Sequence, residues 1–284
     1  MDELVGLKDY PLARRSMLMT GLISGFTLAT TRVEAQAIHT AADGLVAGPV
    51  TIPTSDGNLP AYRAKPAGAG PFPVILVVEE IFGVHEYIQD VCRRLAREGY
   101  LAVAPELYAR IADLSGMTDS EAIVRDVISK APDDRLLKDL DETAGWAATD
   151  GGDLSRLGVT GFCRGGRDVW LYDAHNPALK AAVAWYGSVG GTPSPIQPAT
   201  ATDVADKLHA PLLGLYGGKD TGIPVEAVQA AATRARAAGK TVEIEVFPDA
   251  PHGFHADYRP SYRPDAAVAG WTRMLAWMRG HGVG

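Results

Sequence analysis

The chain is poor in cysteine. Its 284 residues include two, Cys92 and Cys163. This excludes a disulfide framework and a cysteine-rich metal site, although one intramolecular bond could still form. Cys92 lies in an apparent helix, Val91-Cys92-Arg93-Arg94-Leu95, and reads as a core residue. Positive charge is not in excess either. The net charge of −7 argues against nucleic acid as a partner. No His-x-x-x-His pair suggests a metal, and no Gly-x-Gly-x-x-Gly loop suggests a dinucleotide, so no metal and no cofactor is expected. Internal repeats and low-complexity tracts are lacking. Hydrophobic content of 46% and charged content of 21% are ordinary for a soluble globular protein. The length allows one large domain or two small ones. Monomer and homo-oligomer both stay open.

The first 37 residues differ from the rest. Arg14-Arg15 precede an uncharged stretch, Ser16 to Thr31, and Ala35-Gln36-Ala37 has the small-x-small form of a cleavage site. The apolar run is shorter than the ~20 residues of a membrane span, so a stable span is not expected. A signal peptide fits better. The paired arginines suggest the twin-arginine route, with Met17 in place of the usual phenylalanine. On that reading the protein is exported to the periplasm. The other reading is an N-terminal arm docked on the body of a cytoplasmic protein.

From Val50 onward the pattern alternates. Two short strands around Ser55-Asp56-Gly57-Asn58 form a hairpin. Apolar, branched runs at 73–78, 100–104, 157–162, 181–186, 211–216 and 242–247 read as buried strands. Helices are expected near 85–98, 119–129, 134–148, 224–238 and 265–279, with one more opening after Phe162. Strands alternating with helices predict an α/β fold: a mostly parallel central sheet, helices on both faces and an N-terminal β-hairpin. The Gly190–Thr202 stretch reads as a surface loop. One domain is expected from about 45 to 284.

Leu157 to Gly166 reads Leu-Gly-Val-Thr-Gly-Phe-Cys-Arg-Gly-Gly. A strand running into Gly-x-Cys-x-Gly is a nucleophile elbow, in which a strained turn lifts the middle side chain above the sheet. A helix N-terminus behind a thiol favours the thiolate. Buried, inert cysteines also occur between glycines. Polar groups in an open parallel sheet collect at the strand carboxyl ends. Asp220 follows the strand at 211–216 and His252 follows the strand at 242–247. Nucleophile, acid and base thus stand in the chain order of the α/β-hydrolase triad. His252 would take the thiol proton, and Asp220 would hold the imidazole tautomer. Taken singly, Asp220 could cap a turn and His252 could be a surface histidine.

These residues, with Glu79-Glu80-Ile81-Phe82-Gly83-Val84 and Pro105-Glu106-Leu107-Tyr108-Ala109-Arg110, resemble the dienelactone hydrolase family, a cysteine-using branch of the α/β-hydrolases. The resemblance runs from about 45 to the C-terminus. It implies that Glu80 contacts the resting thiol and helps deprotonate it when substrate arrives; capping the helix at His85 is the other reading. It implies an oxyanion hole made of the Ile81 and Arg164 backbone N–H groups. It also implies arginines for a substrate carboxylate. Arg110 matches one. The second falls at Ala256, and Arg259 either substitutes for it or is a solvated loop charge. Arg164 and Arg167 flank the elbow; Arg167 reads as helix surface. Tyr186 is core or lines the pocket. The expected activity is a carboxylic-ester hydrolase of the carboxymethylenebutenolidase type, acting on a small ester or lactone through an acyl-thiol intermediate. The alternatives are acyl transfer by the same residues, or a non-catalytic binding module on this fold.

Overall fold

The computed structural model describes residues 37–284. The leader or arm read in the sequence lies, but for Ala37, outside the described residues. Ten-residue strands β1 (Leu45–Thr54) and β2 (Gly57–Pro66) pair antiparallel around the two-residue turn Ser55-Asp56. Strands β3 (Phe72–Val78), β4 (Leu101–Pro105), β5 (Gly152–Phe162), β6 (Ala181–Trp185), β7 (Leu212–Gly217) and β8 (Val242–Phe247) are mutually parallel. The eight strands stand in the order β1-β2-β4-β3-β5-β6-β7-β8. This is the α/β architecture expected, with the hairpin extending the sheet through β2 against β4.

Successive strand residues face opposite sides, so a strand buried on both faces is apolar throughout. In β3, Val74, Leu76 and Val78 enter one core, and Ile75 and Val77 enter the other. The first core is closed by helices α3 (Asp133–Thr149), α4 (Arg164–His175) and α6 (Val225–Ala237) through Leu136, Leu140, Trp170, Val228 and Ala232. The second is closed by α1 (Glu86–Arg97) and α7 (Pro264–Gly280), through Ile88, Val91, Cys92, Met274 and Met278. Cys92 is a core residue, as expected.

Two local expectations change. The helix expected near 119–129 divides into α2 (Ser120–Asp126), capped by Asp119, and a short 3-10 turn, Ile128–Lys130. The stretch read as a surface loop ends in a short helix, α5 (Ala201–Val204). Thr200 and Asp203 form a reciprocal capping box there, and Ala201 is fully buried.

β4 lies on one side of β3 and β5 on the other, so the chain crosses from β3 to β4 in one direction and then returns past β3 to β5. An open parallel sheet leaves a crevice at such a switch point. The chain segments that follow β3 and β5 meet there.

Candidate active site

Cys163 joins β5 to α4 with φ 56° and ψ −113°. A non-glycine residue held in this region is strained by about 1–3 kcal/mol. Packing fixes it. The Cys163 N–H donates to the Trp185 carbonyl, and the Gly166 N–H donates to the Cys163 carbonyl, both at 3.0 Å. A Cβ on Gly165 would fall 2.4 Å from the Val78 carbonyl oxygen, and one on Gly161 would fall 2.5 Å from that of Gly165. Glycine is therefore required where α4 crosses the strand ends backbone to backbone. Arg164 opens α4, where first-turn N–H groups have no intrahelical acceptor.

Asp220 stands just past β7. Its Oδ1 accepts the N–H groups of Gly222 (2.9 Å) and Ile223 (3.1 Å). Its Oδ2 lies 2.7 Å from Nδ1 of His252. The carboxylate thus caps its own turn and also orients the imidazole. His252 follows β8 and is nearly buried, with its ring edge-on to Tyr186 at 5.2 Å between centroids. Burial opposes the imidazolium. Cys163, by charge and by hydrogen bond, and Asp220 outweigh it, and the His252 pKa is pushed up to about 10. The structure therefore gathers Cys163, His252 and Asp220 from three strand ends.

Glu80 is fully buried. Its Oε1 lies 3.0 Å from Nη2 of Arg259, and its Oε2 accepts the Tyr258 hydroxyl at 2.7 Å and sits 3.4 Å from Nε2 of His85. Burial favours the neutral acid, but Arg259, His85 and Tyr258 reverse this and hold the carboxyl at about 2. The reading of Glu80 as a helix cap is corrected, because its oxygens go to these groups. His85 takes the N-cap position of α1, and its side chain makes no capping bond. Arg259 is not a solvated loop charge. It is 3% exposed and stacks between Phe82 and Tyr258, each ring 5.1 Å away. Ala256 is buried in the core.

The adjacent Glu79 behaves differently. Its Oε1 accepts the Leu107 N–H at 2.7 Å. Glu106 in turn accepts the Val84 N–H at 3.2 Å. Burial first, then the charge of Glu106, pushes the Glu79 pKa well up. The pair pins the turn bearing Ile81 to the segment after β4.

Other arginines already have acidic partners. Arg110 pairs with Asp139 and donates to the Thr54 hydroxyl at 2.9 Å. Arg164 reaches Asp168 (3.2 Å), Gln197 (3.3 Å) and Asp133 (3.4 Å). Arg167, expected on the helix surface, is buried. It holds Asp133 bidentately at 2.8 Å and bonds Asp168 and the Ala199 carbonyl, because the 190–200 segment covers this end of α4. Tyr186 is fully buried at φ 37° and is both core and a wall of the His252 site.

Sequence reasoning missed Tyr87, His255 and Tyr258. Nδ1 of His255 lies 2.7 Å from the Tyr87 hydroxyl, and its ring stacks with Phe162 and Trp271. Burial, reinforced by Arg94, pushes its pKa down to about 3, so the ring is neutral. Its signal was a second histidine three residues after His252, in an aromatic setting. Among the described residues, His39, Glu86 and Asp90 bring ligand atoms within 4.8 Å of one another. Arg93 already bonds both carboxylates, so a guanidinium occupies that charge.

An open, mostly parallel sheet covered by helices, with a strained elbow at its switch point, defines an α/β-hydrolase fold. The model of the dienelactone hydrolase family matches residues 59–282. A protein of Methylorubrum extorquens AM1 named "Putative carboxymethylenebutenolidase" is 56% identical over 274 residues, covering 96% of this chain and 94% of the relative. A protein of the same name from Escherichia coli K12 is 51% identical, covering 91% and 96%. The "Crystal Structure of Putative Dienelactone Hydrolase from Klebsiella pneumoniae" superposes with a TM-score of 0.81 at 53% identity, covering 83% of this chain and 98% of that one. The chain belongs to the dienelactone hydrolase family and is a hydrolase.

Proposed function

We propose that the protein hydrolyses small esters or lactones with Cys163 as nucleophile. The supporting observation is that His252, anchored by Asp220 at 2.7 Å, has its charge set chiefly by Cys163 against the cost of burial. His252 takes the thiol proton, and the sulfur adds to the substrate carbonyl carbon. The oxygen becomes an oxyanion, which the backbone N–H groups of Arg164 and Ile81 receive. The intermediate collapses to an acyl-thiol, and His252 returns its proton to the leaving alkoxide. Water then attacks the acyl carbon, gives a proton to His252 and releases the acid and the thiol. Asp220 keeps the imidazole in the productive tautomer and stabilises its cation throughout.

Turnover of p-nitrophenyl acetate tests this. Cys163→Ala and His252→Ala should each abolish it, and retained turnover in either would remove the assignment. An added alcohol acceptor distinguishes acyl transfer by its ester product. Export through Arg14-Arg15 is part of the same proposal. Replacing both arginines with lysine should leave the protein in the cytoplasmic fraction, and unchanged fractionation would overturn that part.

A further inference from the structure

The segment that follows Ala35-Gln36-Ala37 is tied to α1. The Thr40 N–H donates to Asp90 Oδ1 at 2.5 Å, the His39 ring nitrogen Nδ1 lies 2.9 Å from Glu86 Oε1, and Arg97 donates to the Ala41 carbonyl at 2.9 Å. From Asp90 the polar contacts run inward. Arg94 Nε donates to Asp90 Oδ2 at 2.5 Å, and Arg94 Nη2 donates to Oδ2 of Asp257. Arg93 bridges Asp90 and Glu86. Three carboxylates thus share two guanidiniums. Asp257 is 2% exposed, and its Oδ1 is buried without a hydrogen-bond partner among the described residues. Leaving a buried carboxylate oxygen unpaired is costly. Ile38 precedes Thr40 by two residues, a reach of at most about 7 Å. Burial raises the Asp257 pKa despite Arg94, and the Ile38 backbone N–H is among the groups that act on it.

We propose that Asp257 is the seat of a new N-terminus: cleavage of the Ala37–Ile38 bond leaves an α-ammonium on Ile38 that pairs with Asp257 Oδ1. This rests on reading residues 1–37 as a leader removed on export. In the cleavage, a signal peptidase adds water across the amide. The Ala37 acyl carbon takes the hydroxyl and becomes a carboxylate, and the Ile38 nitrogen leaves as an amine and takes up a proton. The amide N–H offers one donor and no charge. The ammonium offers three donors and one positive charge, which brings three cations to the three carboxylates. An α-amine ordinarily titrates at about 8, and the carboxylate favours its charged form. Asp257 lies in the loop that follows His252. The Ala256 N–H donates to the Gly253 carbonyl and the Arg259 N–H to the Ala256 carbonyl, both at 3.0 Å. Seating the ammonium therefore tightens the loop that carries both His252 and Arg259, and removal of the leader completes the fold around it.

The test uses the full chain with residues 33–37 replaced by an enterokinase site, Asp-Asp-Asp-Asp-Lys, so that one protein is cut in place before Ile38. Thermal midpoints are read before and after the cut, with and without Asp257→Asn. Mass spectrometry follows the modification of the Ile38 amine by 2-pyridinecarboxaldehyde. At pH 7 the cut should raise the midpoint by at least about 3 °C with Asp257 present and by less than about 1 °C in Asp257→Asn. The amine should react at least about tenfold more slowly when Asp257 is present. Equal midpoint gains, or equal amine reactivity, in the two backgrounds overturn the proposal. Should Asp257→Asn unfold, a glycine inserted before Ile38 replaces it, which keeps the carboxylate and moves the amine one residue outward. Loss of the midpoint gain then supports the seat, and retention overturns it. Sequencing of exported protein should begin at Ile38, and another start overturns the maturation site. A chain left whole in the cytoplasm removes the export reading instead, while the chain cut in place still scores the pair.

Discussion

Arg259 and Glu80 form an ion pair in which Nη2 and Oε1 stand 3.0 Å apart and neither side chain is more than 1% exposed. A substrate carboxylate seeking Arg259 must displace an existing one. Arg110 and Arg164 are likewise neutralised, by Asp139 and by Asp168 with Asp133. A neutral ester should therefore be preferred. The kcat/KM for p-nitrophenyl acetate should exceed that for p-nitrophenyl hemisuccinate by about tenfold, equivalent to ~1.4 kcal/mol in the transition state. Preference for the hemisuccinate would mean that an anionic group does take over an arginine.

Removing one member of that pair strands the other. Arg259→Met should destabilise the fold by about 3–5 kcal/mol, since it leaves a buried carboxylate without its cation. Adding Glu80→Gln should recover most of the loss. Urea denaturation at pH 7 measures both. A single-variant cost near zero would show that His85 and Tyr258 suffice to hold Glu80.

The two thiols should differ in reactivity. Cys92 lies in the second core, where burial pushes its pKa far up. Cys163 stands against His252 at a helix start. Brief iodoacetamide treatment of the native protein should label one site and denatured protein two, as read by mass spectrometry. Labelling of Cys92 in the native state would contradict its burial.

Two buried groups bend stability with pH in opposite directions. His255 is held down at about 3, so below the ordinary histidine pKa the unfolded chain binds a proton that the fold refuses. Its contribution is lost as pH falls from 6.5 toward 3. Asp173, held up to about 7 by burial despite the N–H groups of Ala210 and His209, does the reverse. Its cost grows as pH rises from 3.8 to 7. Asp173→Asn should raise the melting temperature at pH 8 relative to wild type and have less effect at pH 4. A drop at pH 8 would show that the lost charge matters more than the relieved burial.

The elbow tolerates no side chain at position 165. Gly165→Ala would place a methyl 2.4 Å from the Val78 carbonyl oxygen, with backbone on both sides of the contact. It should cost about 1–3 kcal/mol of stability and lower kcat more than it raises KM, because the Arg164 N–H moves with α4. Calorimetry and ester kinetics check the two halves. Wild-type kinetics in this variant would show that the elbow relaxes without moving the sulfur.

What was legible in the sequence follows the reach of each signal. Apolar runs located the strands because β3 and β5 to β7 are buried on both faces. Cys163, Asp220 and His252 could be read because strand ends are countable in one dimension. Arg259 was left between two roles because the side chain acts across a loop, and the position matched by spacing, 256, holds alanine. Tyr258 and His255 were missed because nothing local marks them. Their importance comes from Glu80 and Tyr87, both more than 160 residues earlier in the chain. Arg167 was misread because helical periodicity does not register a covering segment that arrives from residues 190–200.

Glu79 and Glu80 are neighbours of the same residue type, both fully buried, yet burial pushes the pKa of one well up while Arg259, His85 and Tyr258 hold the other down. The first behaves as a rivet, tying the turn after β3 to the Leu107 N–H beyond β4. The second is a counterweight whose value depends on remaining charged. Exchanging Glu for Gln should therefore be mild at the first position and consequential at the second. A single dipeptide thus separates holding the backbone from governing the field around it.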